Sequence, residues 1–420
     1  MTSGLTASIS NSRSLELIVI TIVFMISPVI CFPLLVIGVY NQKKYAYFYI
    51  CMFMGLLSMY YYPQGDQYRY LTDLLTYKNQ SFSEIIDFNT VISIRNFNLI
   101  TLSLFAASKT GFITLEIYRM LIVCFGCGIM MYIYQSVASS LENKIPRLFQ
   151  FKLFLILLLS IPVYYMTQGF RSGFGAIFLS LGMYKLLQKN QSGYFWMLVS
   201  AFIHFSYLPL SIIYILGLKL KFRINNKNFI FYFLLLMLLL VTGITALYGK
   251  IPFITMMLDI YVFGSYGTDF VWNAYRLKEV LLINGLPTIL MYALFLFSHK
   301  DRSDYRFSNV LYINLALLLI SLPFQAFIQR LGIISVLLLA VYGIMNYKSM
   351  HLKKYSQIII LSLLVSSGYP FFMHRYCYYH SNIENFFISP LPLILQNTYD
   401  IDEANDLLND EGVLKPQFLK

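Results

Sequence analysis

Residues 194–217 read "YFWMLVSAFIHFSYLPLSIIYILG", an apolar stretch of 24 residues broken near its middle by His204, Ser206 and Pro209. It is long enough for one crossing of a hydrocarbon core about 30 Å thick. The charges on its two sides argue against a single crossing. Lys185 and Lys189 precede it, Lys219, Lys221, Arg223 and Lys227 follow it, and short basic loops stay on the cytoplasmic side of a membrane. A plain span would put the most basic loop outside and invert every later one. The stretch therefore predicts a re-entrant helical hairpin that enters from the cytoplasm and turns near His204.

The rest of the chain fits around that choice. Of its 420 residues 58% are hydrophobic, 17% aromatic and only 12% charged, a balance that a water-soluble globule of this length does not carry. Apolar windows at about 15–40, 45–62, 117–138, 150–167, 171–188, 228–247, 280–298, 307–323, 327–347 and 356–373 each predict a membrane helix. Period-two alternation is lacking, which excludes a β-barrel. The expectation is an all-α polytopic membrane protein of about ten transmembrane helices plus the hairpin. Its single integral membrane domain covers 1–373, and an external C-terminal tail covers 374–420. The first ten residues, "MTSGLTASIS", lack a basic region and a cleavage site, so the first span is expected to remain.

With this topology, 17 of the 31 Lys and Arg fall in cytoplasmic loops with three of the 19 acids. The net charge of +12 thus reports membrane orientation, and nucleic acid is not an expected partner. The acidic stretch "DIDEANDLLNDEGVLKP" in the tail predicts little fixed structure. Loops 63–116 and 248–279 are too long for simple connections; the first has the apolar content of helices lying in the interface plane. Cys124 and Cys127 form a C-x-x-C inside an apolar span without a second ligand pair, and read as small packing residues.

Three segments carry candidate chemistry. In "MTQGFRSGFGAIFLSL" (166–181), Arg171 stands among glycines at the start of an apolar helix, with Gln168 nearby. Guanidinium, helix N-terminus and open space describe an anion site, and a planar, permanently charged group suits phosphate. In "SLPFQAFIQRLGIISVLLLAVYGI" (321–344), Gln329 and Arg330 open a second helix in the same way. Arg276, in the loop before residue 280, is a further basic candidate. "YYYPQGDQYRYL" (60–71) breaks at Pro63 and Gly65 and presents Asp66 beside Tyr68, Arg69 and Tyr70. Such rings stack on sugar faces, and the carboxylate can orient or deprotonate a hydroxyl. His204 needs a hydrogen-bond partner in its apolar stretch and reads either as a structural residue or as one lining the site. No D-x-D, phosphate-binding loop or zinc signature occurs, so metal-assisted chemistry is not expected.

The succession "GDQYRY", "QGFRSGFGAIFLSLGMY", "SAFIHFSYLPL" and "FIQRLGI", over roughly residues 50–345, resembles the EpsG-like branch of bacterial polysaccharide polymerases, relatives of the Wzy O-antigen polymerases. Ser172 stands where that family usually has a glutamine after the arginine. The resemblance implies a GT-C-like, metal-independent glycosyltransferase of the bacterial plasma (inner) membrane, without a cofactor, its site facing the periplasm or cell exterior. It would transfer a growing glycan from undecaprenyl diphosphate onto a lipid-linked repeat unit, for capsule, O-antigen or exopolysaccharide biosynthesis, beside a flippase and a chain-length regulator. Arg171 and Arg330 would hold the diphosphate, and Asp66, or His204 in its place, would receive the acceptor's proton. Gln168, Tyr68, Tyr70, Arg69, Arg276 and Gln329 would bind substrate. Competing readings are a transferase using a polyprenyl-phosphate sugar, an O-antigen ligase, and, from another class, a polysaccharide or lipid transporter; the last calls for charges at the bilayer midplane and symmetry-related halves.

Overall fold

The structure, a computed structural model, describes residues 15–85, 97–141, 144–252, 280–297, 305–322, 324–399 and 401–409, together with positions 255, 259, 278 and 415. Each of the ten apolar windows contains helix, with breaks at Ser27, at 60–62 and at 160–162. In chain order the helices are α1 (Leu15–Ile26), α2 (Pro28–Tyr40), α3 (Lys44–Met59), α4 (Asp66–Tyr77), α5 (Phe82–Ile85), α6 (Leu99–Thr110), α7 (Leu115–Leu141), α8 (Arg147–Leu159), α9 (Val163–Gly169), α10 (Arg171–Leu187), α11 (Ser192–Ile203), α12 (Tyr207–Lys219) and α13 (Phe229–Leu247). They continue with α14 (Leu286–Phe297), α15 (Tyr305–Ile320), α16 (Gln325–Met345), α17 (Leu352–Met373), α18 (Arg375–Tyr379), α19 (Glu384–Ile388), α20 (Leu391–Ile394) and α21 (Ile401–Leu407). No strand occurs among the described residues.

Five of these segments are long and apolar enough to cross a membrane: Leu115–Leu141, Arg147–Gly169, Phe229–Leu247, Phe327–Met345 and Leu352–Met373. The others are shorter or interrupted, and local breaks mark some of the long segments as well. Pro28 divides the first window, with the Ser27 hydroxyl accepting from the Ile30 amide at 3.3 Å as the cap of α2. Pro162 separates α8 from α9. A π-helical turn at Leu281–Gly285 precedes α14. The first long loop holds α4, α5 and α6, while residues 86–96 and most of 248–279, Arg276 included, lie outside the described residues.

The hairpin is visible. His204 ends α11 in an extended conformation, and α12 starts three residues later. The Ser211 hydroxyl donates to the Met197 carbonyl at 3.4 Å. Those residues lie seven positions either side of His204, so the two legs run side by side; a continuing rod would hold them about 20 Å apart. The legs also flank α10. At one end Gly193 sits so close to Gly182 that a Cβ there would meet the Gly182 carbonyl oxygen at 2.5 Å. At the other, the Ser200 hydroxyl donates to the Gly175 carbonyl at 2.7 Å. The turn at His204 therefore reaches the level of the first turns of α10.

Polar glue fixes the middle of the bundle. The Asn314 amide nitrogen donates to the Tyr292 and Ser335 hydroxyls, both at 2.7 Å, and its oxygen accepts from Tyr214. Four helices, α12, α14, α15 and α16, meet in that network. In a medium without competing water such bonds hold helices in register.

The tail folds back over the Asp66 end of the bundle. The Tyr62 amide donates to the Cys377 carbonyl at 3.0 Å, Ser381 donates to the Tyr60 carbonyl, and the Tyr399 hydroxyl donates to the Met59 carbonyl at 3.1 Å. Where its acidic composition predicts little structure, residues 401–407 are helical, with Ala404 and Leu408 buried. Two apolar side chains in the right register are enough to dock that turn despite the acids around them.

Candidate functional site

The site forms where α4, α9 and α10 meet. Gly65, at φ +56°, turns the chain into α4 and puts Asp66 in its first turn. The Gln67 side chain, fully buried, donates to the Gln168 carbonyl at 2.9 Å and so binds α4 to the end of α9. Asp66 then stands over Gly169: a Cβ at that glycine would lie 3.5 Å from a carboxylate oxygen of Asp66. Arg69 pairs with Asp66 at 3.1 Å, half-exposed on both sides, an arrangement that contributes at most about 1 kcal/mol to stability. Its guanidinium also lies 5.2 Å from the centre of the Tyr70 ring.

Between α9 and α10 the chain passes through Phe170 at φ +39°. A bulky residue in that region is strained. What holds it is packing, for the Phe170 ring is stacked on Tyr70 at 4.9 Å and meets the edge of Tyr118 at 5.2 Å, with no exposure. The consequence is a sharp re-entry into helix at Arg171, whose first-turn amides and guanidinium share one end. Arg171 is half-buried and makes no hydrogen bond or ion pair among the described residues. Its charge reaches Tyr70 and Asp73. Burial pushes the Asp73 carboxyl above its ordinary range, against the pull of Arg69 and Arg171.

Arg330 is connected to the same helix start through Tyr207. Its charge reaches the Tyr207 phenol, and that phenol donates to the Ser172 carbonyl while its ring lies against Gly175, where a Cβ would meet it at 2.4 Å. Gln329 is half-buried one position before it. His204 stays within the hairpin turn: its Nδ1 accepts from the Ser206 amide at 3.3 Å and is 2.9 Å from the Ser206 hydroxyl, and its ring meets Tyr207 at 5.7 Å. An Nδ1 acceptor leaves the neutral ring's proton on Nε2.

Asp66, Arg69, Tyr70, Gln168 and Arg171 are thus gathered in one cluster, and Tyr207, bonded to the Ser172 carbonyl, connects its helix start to His204 and to the charge of Arg330. Tyr68 turns away, its hydroxyl donating to the Asn405 side chain at 2.6 Å. Several groups were not singled out in the sequence. The side-chain oxygens of Gln67 and Thr167, both fully buried, have no partner among the described residues. Glu116 and Arg119, at 1% and 0% exposure, open α7 beneath the folded-back tail. Arg119 donates to the Ser58 carbonyl at 3.1 Å and to that of Tyr61, yet two of its nitrogens and one Glu116 oxygen lack partners among the described residues. The sequence signal was an acid and a base one helical turn apart in "LEIYRML" (115–121).

Comparison with protein-family models, with curated proteins and with solved structures finds no match for this chain.

Proposed function

We propose that the chain is a polysaccharide polymerase of the EpsG-like and Wzy type, moving a growing glycan from undecaprenyl diphosphate to a lipid-linked repeat unit at the outer face of a bacterial plasma membrane. The observation that carries this reading is Arg171. It is a half-buried guanidinium without a hydrogen bond or ion pair among the described residues, set at a helix start beside a carboxylate, with a second arginine reaching the same helix start through Tyr207. A doubly phosphorylated lipid head satisfies that charge, and the nearby Asp66 gives the cluster a base.

The chemistry then divides between the two flanks. As the donor's C1–O bond breaks, its electron pair passes to the diphosphate, and Arg171 and Arg330 stabilise the charge gained there. The acceptor hydroxyl oxygen forms the new bond to C1, and its proton passes to Asp66. Arg69, half-exposed beside Asp66, lines the approach and orients the sugars, while Tyr70, expected from the sequence to stack on them, is buried against Phe170 and instead holds the turn before Arg171. Prearranged groups of this kind lower the barrier chiefly by positioning and by electrostatic complementarity.

The test uses membranes containing the full chain and a lipid-linked repeat unit. Arg171→Ala is expected to abolish long glycan, a loss of at least about a hundredfold, while single lipid-linked units persist and the protein inserts normally. Glycan of ordinary length made by that variant would remove the reading.

A further inference from the structure

A cavity of about 1030 Å³ opens between α6, α7, α10 and α11. Its walls are apolar, with Phe125, Gly128, Ile129, Phe174, Leu181 and Trp196 among them. Along α7 it runs from Tyr118 to Tyr132, a rise of about 21 Å. Its side is open, since Leu121, Phe125 and Tyr132 on its rim are 49%, 57% and 46% exposed. Its two ends differ. At one, the Tyr118 and Ser103 hydroxyls bond each other at 2.6 Å, so neither presents an unsatisfied group to the groove. At the other, the Lys185 ammonium lies 4.5 Å from the centre of the Tyr132 ring and donates to its hydroxyl.

The groove is joined to the arginine cluster by helix geometry. Arg171, Phe174, Leu181 and Lys185 follow one another at steps of three, seven and four, so all four lie on one face of α10. Phe174, Leu181 and Lys185 line the groove, and Arg171 is one turn beyond Phe174. Tyr118, at the same end, carries the ring that packs on Phe170. Arg171 thus lies one helical turn past the Phe174 end of the groove.

We propose that this groove holds the hydrocarbon tail of a polyprenyl diphosphate whose head meets Arg171, an inference that rests on the function proposed above. The lysine at one end is already engaged by the Tyr132 ring and hydroxyl, whereas Arg171 beyond the other makes no hydrogen bond or ion pair among the described residues, so one continuous apolar channel leading to that arginine matches a lipid with one chain and an anionic head. A phospholipid carries two chains and leaves one without a seat. Burial of a long tail supplies binding energy in proportion to apolar area, while the arginine end selects the head.

Gly128 supplies the test. A Cβ there meets nothing within 4 Å and Gly128 lines the groove, so Gly128→Trp is chosen to place an indole in it. The purified full chain in phosphatidylcholine nanodiscs is titrated with undecaprenyl diphosphate and with geranyl diphosphate. The latter has two isoprene units and stops short of Gly128, which lies about 15 Å along α7 from Tyr118. Gly128→Trp is expected to bind undecaprenyl diphosphate at least tenfold more weakly and geranyl diphosphate as the wild type does, the second result also showing that the variant is folded. Equal undecaprenyl diphosphate affinity in the two proteins overturns the proposal. So does displacement of that probe by phosphatidylglycerol at equal concentration, which makes the groove a seat for ordinary membrane lipid. Arg171→Ala separates the two readings: if it binds both probes normally while Gly128→Trp still loses the long one, the head-group assignment fails and the groove stands.

Discussion

Phe170 is the residue on which the site's geometry turns. An aromatic side chain at positive φ costs of order 1–3 kcal/mol, and here Tyr70 and Tyr118 hold it from two sides. That constraint ends α9, starts α10 one residue later, and sets Arg171 beside the α4 turn that carries Asp66. If Asp66 takes the acceptor's proton, its replacement by the neutral amide removes the base and keeps the shape. Asp66→Asn is expected to slow glycan extension by about 10²- to 10⁴-fold with little change in donor binding. Single-turnover extension alongside a donor-binding titration checks this; a normal extension rate assigns the proton to another group, with His204 the next candidate.

Among the elements, the network around Asn314 shows how short or broken helices are kept in place. Asn314, Tyr214 and Ser335 are fully buried and Tyr292 nearly so, and each hydrogen bond in such a setting contributes about 0.6 kcal/mol, up to about 1.7. Asn314→Leu keeps the volume but removes three hydrogen bonds and strands the Tyr214 phenol, while Tyr292 keeps its bond to the Leu311 carbonyl at 3.2 Å. It is expected to destabilise the protein by about 2–4 kcal/mol, read as a shift in the unfolding curve in mixed micelles. Unchanged stability would mean that the Tyr214 phenol finds another acceptor.

The five long helices were legible because each is an apolar run of membrane-spanning length, and the break at His204 because polar residues and Pro209 interrupt the apolar stretch there. The site was legible in part. Asp66 and Arg171 each sit next to a glycine break, and a charge beside a break in an apolar run is conspicuous. Asn314 and Gln67 were not, since a neutral amide gives no sign in one dimension of which helix it will bond. Glu116 and Arg119 were hidden for a different reason: they lie at the edge of a window, where a charge ordinarily faces water, and only the returning tail buries them.

For the molecule as a whole, that tail makes the Asp66 end a closed structure. Residues 375–408 cover Glu116 and Arg119, Phe386 packs against Phe53 and Tyr60 at 5.4 and 5.6 Å, and Tyr68 is tied to Asn405. His374 stands at the root of the tail. Its ring is stacked on Tyr164 at 5.1 Å, and its Nδ1 lies 3.0 Å from the Gln64 amide nitrogen, which can donate only to an unprotonated ring nitrogen. Burial pushes the His374 pKa below its ordinary value. With the folded value depressed, docking is strongest where both states are neutral, above about pH 6.5. It weakens as pH falls through that value toward the lowered folded one, because the undocked form takes up the proton first. One such proton raises the open population by at most about tenfold per pH unit. Amide exchange across residues 375–399, corrected for its intrinsic pH dependence, is therefore expected to quicken between pH 7 and pH 5.5, and His374→Gln to flatten the response. The same acceleration in that variant would show that the response does not come from His374.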